Sequence, residues 1–148
     1  MTLVDHIEFS ALTILIGDGA DPEVFTARCS MNASRGFNRT AETNSRNLPD
    51  CADDAAPSAT LVFVTAKSAE VSGSGVLERA DDAFFSTWWA SGEAKNVKVV
   101  VGDVTDGGNS HSFAAKLTSY NVTGESKDVV NAEITLVSHG AIVTAALA

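Results

Sequence analysis

The sequence predicts a mainly β domain with one flanking α-helix. Three observations carry this: stretches where apolar and polar residues alternate with period two, many glycine and β-branched residues, and a single window with helical spacing. At 148 residues and 45% hydrophobic content, the chain suits one domain, 1–148, with one modest core.

In chain order, a first strand is expected within His6–Ile16, ended by Gly17-Asp18-Gly19 and Asp21-Pro22, which favour a turn. Phe25, Ala27, Cys29 and Met31 then alternate with Thr26, Arg28, Ser30 and Asn32, predicting a second strand. The pattern lapses at about 34–58, where Phe37 and Leu48 are the only large apolar side chains. That stretch reads as a long polar loop, a contact arm that meets a partner. Across Thr60–Lys67, Leu61, Phe63 and Thr65 oppose Val62, Val64 and Ala66, predicting a strand covered on both faces and paired with the strand before the loop. Val71–Val76 is rich in Ser and Gly and reads as a strand end or bend.

The helix is expected at about 80–91. Asp81 and Asp82 suit its positive end, Phe84, Phe85, Trp88 and Trp89 repeat at i and i+4, and Gly92 can end it in the left-handed conformation. All four aromatics are expected to pack on a sheet, each contributing roughly 1.5–3 kcal/mol. Strands follow at Val97–Val101, Ser112–Tyr120, Val129–Val137 and Ala141–Leu147, with a tight turn at Asp106-Gly107-Gly108-Asn109.

The formal net charge of −9 argues against a nucleic-acid-capturing surface. No signal peptide or membrane span is read, so cytoplasmic synthesis is expected. Cys29 and Cys51 can pair or stay reduced. No catalytic constellation assembles from His6, His111 and His139, which are scattered, and no enzyme activity is expected. Ser72–Gly75 lacks the Lys-Ser/Thr of a phosphate loop, and Asp50, Asp53 and Asp54 lack the spacing of a calcium loop. Neither metal nor cofactor is therefore expected.

The order of features carries a resemblance: Cys29-Ser30-Met31, the polar arm, a strand, Val71-Ser72-Gly73-Ser74-Gly75-Val76-Leu77, the aromatic helix, Tyr120-Asn121-Val122-Thr123-Gly124, and a polar-faced strand ending Ser138-His139-Gly140. Over nearly the whole chain this resembles the major tail tube proteins of long-tailed, siphovirus-type bacteriophages and gene transfer agents. The resemblance implies an antiparallel β-sandwich or half-barrel beside one helix, with six subunits joining their inner strands into a ring and rings stacking into a tube. It further implies assembly in the bacterial host cytoplasm, a place in the virion tail, tape measure, tail terminator and distal tail proteins as partners, and DNA passing through the lumen without specific binding.

Within that expectation the arm reaches the adjacent ring through Arg35, Phe37, Arg39, Glu42, Arg46, Asp50, Asp53 and Asp54, whose mixed charges can pair across an interface. The acidic balance suits a lumen through which DNA slides. The alternatives are a type VI secretion-like tube protein, or a monomeric carbohydrate-binding or adhesin-like β-sandwich. The lumen-facing strands stay open, because a one-residue register error exchanges faces.

Overall fold

The structure, a computed structural model, describes residues 2–105 and 107–147. A short 3-10 turn, Phe9–Ala11, leads into β1 (Leu12–Gly17), β2 (Phe25–Ala27), β3 (Ser34–Leu48) and β4 (Ala59–Val76). The helix α1 (Arg79–Ser91) follows, then β5 (Ala94–Val101), β6 (Asn109–Thr123), β7 (Asn131–Ser138) and β8 (Val143–Ala146). Asp106, in the expected tight turn, lies outside the described residues.

All pairings are antiparallel, in the order β2-β1-β5-β6-β7-β4-β3. β6 is the long strand on which the sheet turns. Its first half pairs with β5 on one edge and with β8, through Asn109–Ser112, on the other. Its second half, from Ala115 to Thr123, pairs with β7 along the edge that β8 has vacated. A register shift between Leu117 and Ser119 marks a bulge, which bends the strand at this handover.

The sheet is strongly curled. In a flat sheet, β3 and β6 would stand about 14 Å apart, three strand spacings. Instead the Phe37 ring of β3 stacks on Phe113 of β6 at 5.9 Å, and Arg35 of β3 lies 4.0 Å over the ring of Phe9. The result is a half-barrel. Its concave side holds Ile14, Ile16, Val71, Val97, Val99, Phe113, Leu117, Ile134 and Leu136, closed by Met31 and by Phe85 and Trp88 of α1.

The helix forms where its spacing places it and stops at Gly92, whose φ of 66° is left-handed and whose N–H donates to the Trp88 carbonyl at 3.2 Å. Phe85 and Trp88 are fully buried, and Trp88 Nε1 donates to the Glu93 carbonyl at 2.7 Å. Phe84 is half-buried beneath the Arg28 guanidinium, 3.7 Å from its ring centroid. Trp89 departs from expectation: it is 60% exposed. The curled sheet meets only one stripe of the helix, and Trp89 lies beyond its rim.

Two other expectations are corrected, and one is narrowed. The 34–58 stretch is not a loop. Residues 34–48 form β3, because β4 supplies every backbone partner that the side-chain pattern fails to announce. Only 49–58 connects the two strands. The partner of Thr60–Lys67 is thus β3, and the expected second strand shrinks to Phe25–Ala27. Of the two readings of Val71–Val76, strand end or bend, the structure shows the strand end: it is the last part of β4, but buried, and a Cβ on Gly73 would run into the Met31 side chain. Small residues here admit the 28–33 turn rather than fail to make a core.

Two measurements check this packing. Trp88→Ala is expected to cost about 3–5 kcal/mol in urea unfolding, and Trp89→Ala less than about 0.5 kcal/mol. His111 is buried between Phe37 at 5.1 Å and Thr144, whose Oγ1 lies 2.9 Å from Nδ1. Burial, then the Arg39 charge, push its pKa below 6.5. The unfolded chain therefore binds the proton more readily, and the stability due to neutral His111 is full above pH 6.5 and lost as pH falls through the folded pKa. The Tm of the wild type should fall more steeply than that of His111→Gln between pH 7 and 5.

Candidate assembly interface

The longest hairpin of the fold gives it its functional shape. β3 and β4 pair from Ser34↔Ser74 to Leu48↔Ala59. β7 supports β4 only from Glu70 to Val76. From Ala69 to Ala59 the hairpin therefore has two strands, and it runs about 33 Å at 3.3 Å per residue.

The register shifts between Glu42 and Thr43, leaving Thr65 without a partner residue on β3. The Thr65 hydroxyl donates to the Glu42 carbonyl at 3.1 Å and closes the gap. This bulge exchanges the faces of β4 beyond it, so Val62 and Val64 continue the concave side and Leu61 and Phe63 the convex side. All four are exposed, Val62 by 62%. Four consecutive exposed apolar residues on both faces of a two-stranded arm are costly in a free subunit. Exposed apolar surface of this extent is the kind that protein contacts bury. β3 adds an unpaired row of backbone donors and acceptors along its outer edge.

The expected arm residues divide into four groups. Arg35 and Phe37 belong to the body: Arg35 Nη2 donates to the Phe9 carbonyl at 3.3 Å, and Phe37 lies against the core. Arg39 reaches over the Phe37 ring at 5.1 Å, at the arm's foot. Glu42 sits at the bulge and Arg46 pairs across from Leu61, both exposed. Asp50 and Asp53 shape the tip, where each Oδ1 accepts the backbone N–H two residues on, at 2.9 and 3.0 Å. Asp54 is also exposed at the tip.

Cys29 and Cys51 are free and exposed. Glu78 raises the Cys29 pKa by hydrogen bonding and by its charge, so the thiol is held protonated. Among the described residues, no cluster of His, Cys, Asp and Glu could hold a metal ion.

What aims the arm is a network in which Asp81 does more than complement the helix dipole. Asp81, buried in the first turn of α1, accepts from the Ser30 hydroxyl at 2.8 Å and the Ser30 N–H at 3.2 Å, and pairs with Arg28 at 3.4 Å. The Ser30 hydroxyl in turn accepts from the Glu78 N–H at 2.9 Å. Two residues on, Asn32 donates to the Val76 carbonyl at 3.1 Å and accepts from the Val76 N–H at 3.1 Å. The helix start, the entry to β3 and the exit of β4 are thus one hydrogen-bonded unit. Short polar side chains at i and i+2, Ser30 and Asn32, were the only sequence signal of it.

The chain belongs to the phage tail tube protein family, whose model matches residues 7–144. No curated protein sequence matches it significantly. Its fold is shared with a chain of the tail of an empty gene transfer agent particle refined with C6 symmetry, at TM-score 0.72 and 21% identity over 92% of this chain and 96% of that one. A chain of the SPP1 tail tube matches at TM-score 0.66 and 14% identity, over 95% and 80%. A chain from the sheath/tube terminator of an extracellular contractile injection system matches at TM-score 0.60 and 14% identity, over 97% and 99%. The protein is a structural subunit of the tail tube class.

Asp81→Ala, which strips a charged acceptor from buried Ser30, is expected to lower stability by about 3 kcal/mol in denaturant unfolding. Asp82→Ala, which removes an exposed bond from the Tyr120 hydroxyl, should cost under about 1 kcal/mol.

Proposed function

We propose that this chain forms six-membered rings that stack into the hollow tail tube of a phage or gene transfer agent particle and conduct DNA through the lumen without binding it specifically. Its work is structural and involves no catalysis. The neighbours within the particle are further copies of itself and, at the ends and inside the tube, terminator, distal tail and tape measure proteins. Assembly takes place in the bacterial host cytoplasm.

The observation that supports this most is a four-stranded section of the sheet with one polar face and two open edges. β6, β7, β4 and β3 lie side by side, and their convex face presents Ser72, Thr135, Ser119 and Asn38 in adjoining rows. One edge of this section is β3. The other is the second half of β6, since β5 pairs no further than Lys116. Pairing the β3 edge of one copy with the Leu117–Thr123 edge of the next satisfies both rows of backbone groups and continues the sheet around a ring. The polar face then lines the lumen.

Placing the face sharpens the charge argument. Of the nine excess negative charges, this face carries little: Glu70 and Glu133 stand on it against Lys116. Hydroxyl and amide groups with a slight negative excess give DNA no row of cations to displace its counterions. The remaining acidity lies elsewhere on the subunit.

Electron microscopy of the purified protein tests the reading. Rings or tubes of constant diameter with sixfold symmetry are expected, whereas monomers at every concentration would sink it. Because Phe37 is a core residue, the arm is best removed by joining Glu42 to Ala66 through Asn-Gly, a two-residue turn suited to paired strands. That variant should unfold at the wild-type midpoint and give no tubes.

A further inference from the structure

At the foot of the arm a cleft of about 790 Å3 opens between Arg39–Ala41 of β3, the Val64–Ser68 stretch of β4 and Gly140–Ile142 ahead of β8. Its walls are small side chains, apolar at Ala41, Val64, Ala141 and Ile142 and interspersed with threonine and serine hydroxyls. Its charged residues are Arg39 and Lys67, with no carboxylate among the lining residues. In a chain with 19 acidic and 10 basic residues, such a place is unusual. It suits an apolar segment that carries carboxylates.

The chain has such a segment. Leu3, Val4 and Ile7 are 78%, 84% and 59% exposed, and Asp5 and Glu8 stand among them with no Lys or Arg. Within its own subunit this stretch runs beside Val101–Asp103 and Gly107–Asn109 and leaves the cleft open. Extended, the six residues Leu3–Glu8 span about 20 Å, enough to cross a cleft of this size.

We infer that the cleft receives the Leu3–Glu8 segment of a neighbouring copy, its apolar side chains against Ala41, Val64 and Ile142 and its carboxylates beside Arg39 and Lys67. This rests on the tube reading, because a second copy must be held beside the first. The segment and the cleft then bury each other's apolar surface, and the charges fix the register of the contact. Since Arg39 and Lys67 sit where the arm leaves the body, the same contact clamps the arm's direction.

The experiment uses full-length protein carrying Cys29→Ser and Cys51→Ser. Subunits with Ile7→Cys are mixed with subunits with Ala141→Cys, assembled, oxidised and run on a non-reducing gel. A disulfide-linked dimer from the tubes is expected, and its absence overturns the inference while leaving the tube reading standing. If the unsubstituted protein forms no tubes, both fall. A single chain carrying both Ile7→Cys and Ala141→Cys must not close on itself in dilute solution, because closure would put the chain's own segment in the cleft. Arg39→Glu with Lys67→Glu should raise the critical concentration for assembly by about tenfold, and adding Asp5→Lys with Glu8→Lys should restore it. An unchanged critical concentration, or rescue by Asp50→Lys at the arm tip instead, overturns the assignment.

Discussion

One helix cannot cover an eight-stranded sheet, and the rest of this structure follows from that shortage. α1 has 13 residues and so spans about 20 Å, whereas the 18 residues of β4 extend about 60 Å. Curling recovers part of the deficit by turning the sheet's concave face upon itself, so that Phe37 meets Phe113. The remainder stays uncovered: the arm on both faces, the convex face of the four-stranded section, and two strand edges. A free subunit is an incomplete structure, and further copies complete it.

The division between body and arm is also a division of forces. In the body, the buried aromatics and the Asp81–Ser30 bonds hold the helix, the 28–33 turn and the ends of the hairpin as one unit. In the arm, backbone pairing to a single partner strand is the main internal support, and isolated two-stranded hairpins are only marginally stable in water. The body therefore supplies direction, and the arm supplies surface.

Sequence periodicity revealed the parts that bury one face against this chain's own core. The helix, β5, β6 and β7 appeared within a few residues of their observed limits, since Phe85, Trp88, Val97, Val99, Ile134 and Leu136 recur at the spacing burial demands. β3 was invisible for the converse reason. Beyond Phe37 neither face is covered by its own subunit, so nothing obliges Asn38–Leu48 to alternate, and its strand character lies only in the pairing with β4. Trp89 was misplaced because helical spacing states which residues share a face but not how wide the opposing sheet is. Asp81 was read for its charge, while its place as acceptor for Ser30, 51 residues away in sequence, is a property of the tertiary fold.

The exposed edge of β3 has a kinetic side. A strand of 15 residues with one unpaired edge is a template for any other strand, and subunits that exposed it bare would clump before they built anything. β3 carries Arg35, Arg39, Glu42 and Arg46, a charged side chain every three or four residues, and its paired strand adds a bulge at Thr65 that breaks a regular ladder. Random edge-to-edge encounters thus meet repulsion and mismatched register, which on the proposed ring assembly makes the first ring the slow event. A growing end that already presents the complementary edges overcomes both. Growth from a seed is favoured over spontaneous nucleation, so tube length falls under the control of whatever starts and caps it.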